Sequence, residues 1–192
     1  MILVLLSTTR NYVTQKIWKS ILKICRPLCK FEAEINIITL INMIEVGQKL
    51  PEVLGKDQDG NEVKLSDFAG KKLVLYVYPK DNTPGCTNQA CNLRDNYNSF
   101  LAQGYAVLGA SIQSEASHKK FIEKYSLPFP IIADVDKSLV MQLGVYGEKK
   151  MCGKVSMGTF RTTFITDEQG IVTRIIGPKE IKVKEHAEQI LK

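Results

Sequence analysis

Histidine is nearly absent from this chain: 192 residues hold only His118 and His186, each in a charged, helix-like stretch. A zinc or iron–sulfur site therefore lacks ligands. Cys25-Arg-Pro-Leu-Cys29 has the spacing of half such a site, but no second half accompanies it. Long apolar runs are missing as well. The apolar opening Met1 to Leu6 gives way to Arg10 and Lys16 well before the ~20 apolar residues that span a bilayer accumulate, so no integral membrane segment is expected. That opening is also too short for a secretory core, with no basic residue before it and no small-residue cleavage site after it. Nor does any basic run interleave with aromatics. The net charge of +6 sits largely in residues 1–42, where six basic residues (Arg10, Lys16, Lys19, Lys23, Arg26, Lys30) face two acids, Glu32 and Glu34, leaving +2 for the rest. That is a solvated surface rather than a phosphate-binding face, and no nucleic-acid partner is expected. Five cysteines without a signal peptide or a regular framework point to a reducing, cytoplasmic compartment.

What the chain does hold is one well-supplied domain. Hydrophobic content of 44% and charged content of 24% are ordinary for a globular protein, and residues 43–192 are long enough to bury a full core. Apolar patterning along them alternates between strand and helix. Val53 to Leu65 reads as a small hairpin turning at Asp59-Gly60, ahead of Ser66-Asp67-Phe68. Leu73 to Tyr78 is a buried strand, Pro84 to about Ala102 a helix, and Tyr105 to Ser111 a second core strand. Ser114 caps a helix with Phe121, Ile122 and Tyr125 inward, ended by Leu127-Pro-Phe-Pro130. Ile131 to Ala133 is a short strand, Asp136 starts a helix carrying Leu139, Val140 and Leu143, and Gly147 to Gly158 is a loop holding Cys152. Thr159 to Thr166 and Ile171 to Ile176 are final strands, before a closing helix with Val183, Ala187, Ile190 and Leu191. The expected class is α/β, a mixed sheet flanked by helices.

The junction of the first core strand and its helix carries the chemistry. In Pro79-Lys-Asp-Asn-Thr83-Pro84-Gly85-Cys86, Thr83 suits an N-cap and Pro84 a first helical position, so Cys86 falls in the first turn. Unpaired N–H groups and the positive end of the helix dipole stabilise a thiolate there. Pro79, Thr83 and Cys86 match the Pro-x-x-x-Thr/Ser-x-x-Cys pattern of peroxiredoxins. The whole stretch from Tyr78 to Tyr97, with Cys91 five residues after Cys86, resembles the bacterioferritin comigratory protein group, also called peroxiredoxin Q. The resemblance runs from about Met43 to Lys192.

That resemblance implies a thioredoxin-like fold and a thiol-dependent peroxidase without metal, haem or flavin. It implies Cys86 as the peroxidatic nucleophile, with Thr83 bonding the sulfur or peroxide and Pro79 shielding the thiolate. Gly85 lets substrate approach closely, and Arg161, in Gly158-Thr-Phe-Arg-Thr-Thr-Phe164, is the cation beside the sulfur. Cys91 is the candidate resolving thiol, with Cys152 as its rival. In an ideal helix, Cα atoms five residues apart stand about 8 to 9 Å from one another, whereas a disulfide needs less than ~7 Å. The first turns must therefore unwind on oxidation. Thioredoxin or a similar thiol reductant is the implied partner, and the intramolecular pair favours a monomer. A thioredoxin-like disulfide reductase would instead carry Cys-x-x-Cys. For residues 1–42 three readings stand: an organellar transit peptide, a basic amphipathic helix around Ile17, Trp18, Ile21, Leu22 and Ile24, or an upstream start. The last is preferred, because Met43-Ile-Glu-Val-Gly47 resembles the opening of the family.

Overall fold

The computed structural model describes residues 44–151 and 154–192. Expectations for residues 1–42, and for Cys25, Cys29 and Cys152, fall outside the described residues. In chain order, strands β1 (Val53–Lys56) and β2 (Glu62–Lys64) make the expected antiparallel hairpin, and a short 3-10 turn, Leu65–Phe68, follows. Then come β3 (Lys72–Val77), helices α1 (Pro84–Asp95) and α2 (Tyr97–Ala102), β4 (Tyr105–Ser111) and α3 (Glu115–Tyr125). The remainder is β5 (Ile131–Ala133), α4 (Ser138–Gln142), β6 (Tyr146–Met151), β7 (Lys154–Thr159), β8 (Thr162–Thr166), β9 (Val172–Ile176) and α5 (His186–Leu191).

The main sheet has the order β5-β4-β3-β8-β9. Pairs β3–β4 and β4–β5 are parallel, while β3–β8 and β8–β9 are antiparallel, so the sheet is mixed as expected. Strand β3 lies at its centre. Every residue from Leu73 to Val77 is fully buried, which is why that stretch is an unbroken apolar run rather than an alternating one. Successive side chains still point to opposite faces. Leu73, Leu75 and Val77 enter one core with Leu54, Leu108, Leu139 and Val140, under the β1–β2 hairpin and α4. Val74 and Tyr76 enter the other with Ala90, Leu93, Phe100, Phe121 and Ile190, under α1, α2, α3 and α5. Cutting any of these large side chains to alanine costs about 2 to 5 kcal/mol.

Five boundaries differ from the sequence reading. The single helix from Pro84 to about Ala102 is two helices, because Asn96 turns its side-chain amide back onto the Asn92 carbonyl, at 2.9 Å, with its own backbone at φ −104°. The loop from Gly147 to Gly158 is the antiparallel hairpin β6–β7. Its Val155 and Met157 are more than half exposed, so the arm leaves no alternating core signature. The strand expected from Thr159 to Thr166 breaks at Phe160-Arg161, between β7 and β8. Helix α4 starts at Ser138 rather than Asp136: buried Asp134 accepts from the Leu139 and Val140 N–H groups at 3.0 and 2.8 Å, capping the helix from outside. Val183 also lies ahead of α5 rather than in it.

Candidate active site

Strand β3 delivers the chain into Pro79 at the edge of the core, and five residues later α1 begins. Thr83 occupies the N-cap with extended backbone, φ −92° and ψ 146°, and Pro84 holds the first helical position. The first helical bond runs from Thr87 N–H to the Thr83 carbonyl at 2.9 Å. The N–H groups of Gly85 and Cys86 precede it and have no intrahelical acceptor. They are free to face an anion. The Thr83 hydroxyl, expected to bond the sulfur or the peroxide, donates its proton to the Lys80 carbonyl at 3.1 Å. With its proton committed there, the oxygen can only accept from a substrate.

Cys86 is 2% exposed. The break between β7 and β8 places Arg161 directly on it: Nη2 donates to Sγ at 3.0 Å, and Nη1 donates to Oε1 of Gln89. Among the described residues no carboxylate pairs with Arg161, so its charge is directed at the sulfur undivided. A Cβ on Gly85 would stand 3.5 Å from Nη2, so any side chain larger than a methyl would fill the space beside the guanidinium. Cys91 lies half-buried in α1, near the guanidinium of Arg94. The structure thus brings Arg161 onto the Cys86 sulfur with Gly85 beside its guanidinium, keeps Pro79 and Thr83 in the loop and N-cap that precede Cys86, and holds Cys91 further along the same helix.

The AhpC/TSA family profile matches residues 46–175. This chain belongs to the AhpC/TSA family. Peroxiredoxin Bcp of Bacillus subtilis is 44% identical over 149 residues, covering 77% of this chain and 93% of that protein. Peroxiredoxin Bcp of Escherichia coli is 37% identical over 151 residues, covering 79% and 96%. Among solved structures, the bacterioferritin comigratory protein of Xanthomonas campestris, described for its alkyl peroxide reduction activity, is similar at TM-score 0.69 and 32% identity, covering 77% of this chain and 95% of that one. The chain is accordingly a peroxiredoxin of the Bcp group with the thioredoxin-like fold, and a thiol peroxidase.

Three residues around this peroxiredoxin site have roles that the sequence reading does not give: Gln89, Lys149 and His186. Gln89 is fully buried, orients Arg161 through its carbonyl oxygen, and leaves its Nε2 without a partner. Its spacing from Cys86, one helical turn, was the available signal. Lys149 on β6 donates to the Thr159 carbonyl and sits 5.3 Å from the Phe160 ring centroid, bracing the turn that carries Arg161. Burial, then the Arg161 charge, pulls its ammonium below the ordinary lysine value, with Cys86 acting the other way. His186 on α5 bonds Thr163 Oγ1 of β8 at 2.8 Å. Burial lowers its pKa to about 4, with Arg161 and Arg174 adding to the shift and Gln189 opposing it, so the ring is neutral near pH 7.

Proposed function

We propose that this chain reduces hydrogen peroxide and organic hydroperoxides at Cys86, resolves the product with Cys91, and is recycled by thioredoxin or a similar dithiol. The Cys86 thiolate attacks one oxygen of the peroxide, the O–O bond breaks, and the departing oxygen takes a proton and leaves as water or alcohol. Cys86 is thereby oxidised to a sulfenic acid. The Cys91 thiol then displaces the sulfenic oxygen as water and forms a Cys86–Cys91 disulfide. A dithiol reduces that bond by exchange and is itself oxidised to a disulfide. One peroxide is consumed per dithiol, and a sulfur nucleophile with a peroxide oxidant needs no metal, haem or flavin.

The observation that carries this reading is the Arg161 guanidinium 3.0 Å from a buried Sγ at a helix N-terminus. Arg161 and the N–H groups of Gly85 and Cys86 stabilise the thiolate and the charge growing on the leaving oxygen. Pro79 shields the sulfur from water, and Thr83 accepts from the peroxide. We take residues 43–192 as the peroxidase domain and 1–42 as an extension. No helix among the described residues is long and apolar enough to cross a membrane. We read the protein as a cytoplasmic monomer serving antioxidant defence and redox homeostasis. Peroxide consumption with thioredoxin and its reductase tests the assignment. Cys86→Ser abolishes it, since a hydroxyl there is neither ionised near pH 7 nor a comparable nucleophile. Sustained turnover by that variant refutes the reading.

A further inference from the structure

The Asp81 side chain is 2% exposed, two residues ahead of the N-cap Thr83 and five ahead of Cys86. A carboxylate out of water needs donors, and this one has three. Tyr78 Oη donates to Oδ1 at 2.7 Å, Ser117 Oγ donates to Oδ2 at 2.6 Å, and His118 Nδ1 lies 2.9 Å from Oδ2. Burial alone would raise the carboxyl's pKa, but the bonds from His118, Ser117 and Tyr78 bring it below the ordinary aspartate value. The backbone is held as well, with the Asp81 N–H donating to Gln113 Oε1 at 2.6 Å. Ser117 and His118 belong to α3, Gln113 leads into it, and Tyr78 follows β3. One residue therefore ties the loop to both helix and sheet. The next residue, Asn82, has φ 55°, a left-handed conformation that a non-glycine residue keeps only where its surroundings fix it.

We propose that Asp81 is a positioning residue for the peroxide reaction: its buried bonds to Tyr78, Ser117 and His118 pin the Pro79–Thr83 loop, so that Cys86 is presented to Arg161 in a fixed geometry. Asp81 does not touch the sulfur; it acts through the loop. It also sets the N-terminal limit of any unwinding of α1. That consequence rests on the Cys86–Cys91 disulfide proposed above, whereas the positioning of Cys86 rests only on its reaction with peroxide.

The test uses the full chain carrying Cys91→Ser, so that neither the disulfide nor the reductant enters the measurement. The observable is the second-order rate constant for a single oxidation of Cys86 by hydrogen peroxide, with amide exchange at residues 79–83 and the melting temperature read on the same samples. Asp81→Ala lowers the rate constant at least tenfold in folded protein and speeds exchange at 79–83. Asp81→Asn stays within threefold of the parent, because its oxygen still accepts from Tyr78 and its nitrogen can donate to Ser117 Oγ and His118 Nδ1. A lower melting temperature with an unchanged rate constant in Asp81→Ala makes the carboxylate merely structural and overturns the proposal. An asparagine variant as slow as the alanine one overturns it too. Should Asp81→Ala fail to fold, Gln113→Ala reads the same pin from the backbone side: at least a threefold loss of rate with faster exchange at the Asp81 amide supports the proposal, and the parent rate despite faster exchange overturns it. A parent that does not react with peroxide overturns the peroxidase reading as well, an outcome distinct from a slow Asp81 variant of a reactive parent.

Discussion

Replacing Arg161 with methionine removes a charge from the sulfur while keeping most of the side-chain volume. Its consequence follows from the geometry. Nη2 stands 3.0 Å from Sγ, and the guanidinium charge is spread over three nitrogens, so the mean charge separation is ~4 Å. At an effective dielectric constant of about 20, that separation corresponds to about 4 kcal/mol. That interaction serves both the thiolate and the charge growing on the leaving oxygen in the transition state. The N–H groups of Gly85 and Cys86 remain and compensate in part. A net loss of about 3 to 4 kcal/mol lowers the second-order rate constant for peroxide by roughly 10² to 10³. The assay is single-turnover quench-flow on Cys91→Ser protein, following loss of the Cys86 thiol, with circular dichroism to establish folding. Arg161→Lys falls between the two, since an ammonium keeps the charge but cannot fork to Cys86 and Gln89 together. A folded Arg161→Met protein reacting within tenfold of wild type refutes the assignment of this cation.

Cys91→Ser reacts once with peroxide, loses thioredoxin-driven cycling, and passes more readily to the sulfinic form because nothing traps the sulfenate; intact mass after graded peroxide checks this. Peptide mapping of oxidised wild type yields a Cys86–Cys91 link with faster amide exchange from 84 to 91, and a Cys86–Cys152 link as the main product would displace Cys91 as resolving thiol. His186 sets a pH dependence of stability. The folded ring takes a proton only near pH 4, the unfolded one near 6.5, so its contribution is complete above about 6.5 and lost as pH falls toward 4. The loss is about 3 kcal/mol, read by urea unfolding across that range, and His186→Asn removes it; an unchanged pH profile in that variant would contradict the assignment.

Local signals made the β3–α1 junction legible. An apolar run buried on both faces, a Thr-Pro start and a first-turn cysteine are each written in adjacent residues. Arg161 is different in kind. It stands 75 positions from Cys86, in a break between strands that no local pattern marks, and only the family resemblance reached it. The β6–β7 hairpin carries no local signal, because its exposed residues bury no alternating face. His118 lies in a charged, helix-like stretch, yet His118, Phe121, Ile122 and Tyr125 share one helical face, and that face is turned to the core. Asp81 stands 37 positions from His118, so no local pattern marks their buried pair.

The segment between the loop pin and the rest of α1 has a composition that suits partial unwinding. At its far end Asn92 is fixed to α5: its Nδ2 donates to the Lys184 carbonyl at 3.0 Å, and the Ala187 N–H donates to its Oδ1 at 2.7 Å. Arg94 Nη1 adds a bond to the Tyr125 carbonyl at 2.7 Å. Between Asp81 and Asn92 the buried side chains of α1 are Cys86, Gln89 and Ala90, all small or polar, while Leu93 comes after Cys91. Withdrawing Cys86 and Ala90 from the core costs about 1 to 2 kcal/mol, and extending the unwinding to Leu93 would add about 1.5 to 3. Unwinding that stops at Cys91 therefore spares the core and can be reversed when the disulfide is reduced. Both partners of Arg161, Sγ of Cys86 and Oε1 of Gln89, lie inside that segment. Forming the proposed disulfide thus releases the guanidinium from both at once, and re-forming the helix after reduction rebuilds the cation on the sulfur in the same step as the pocket.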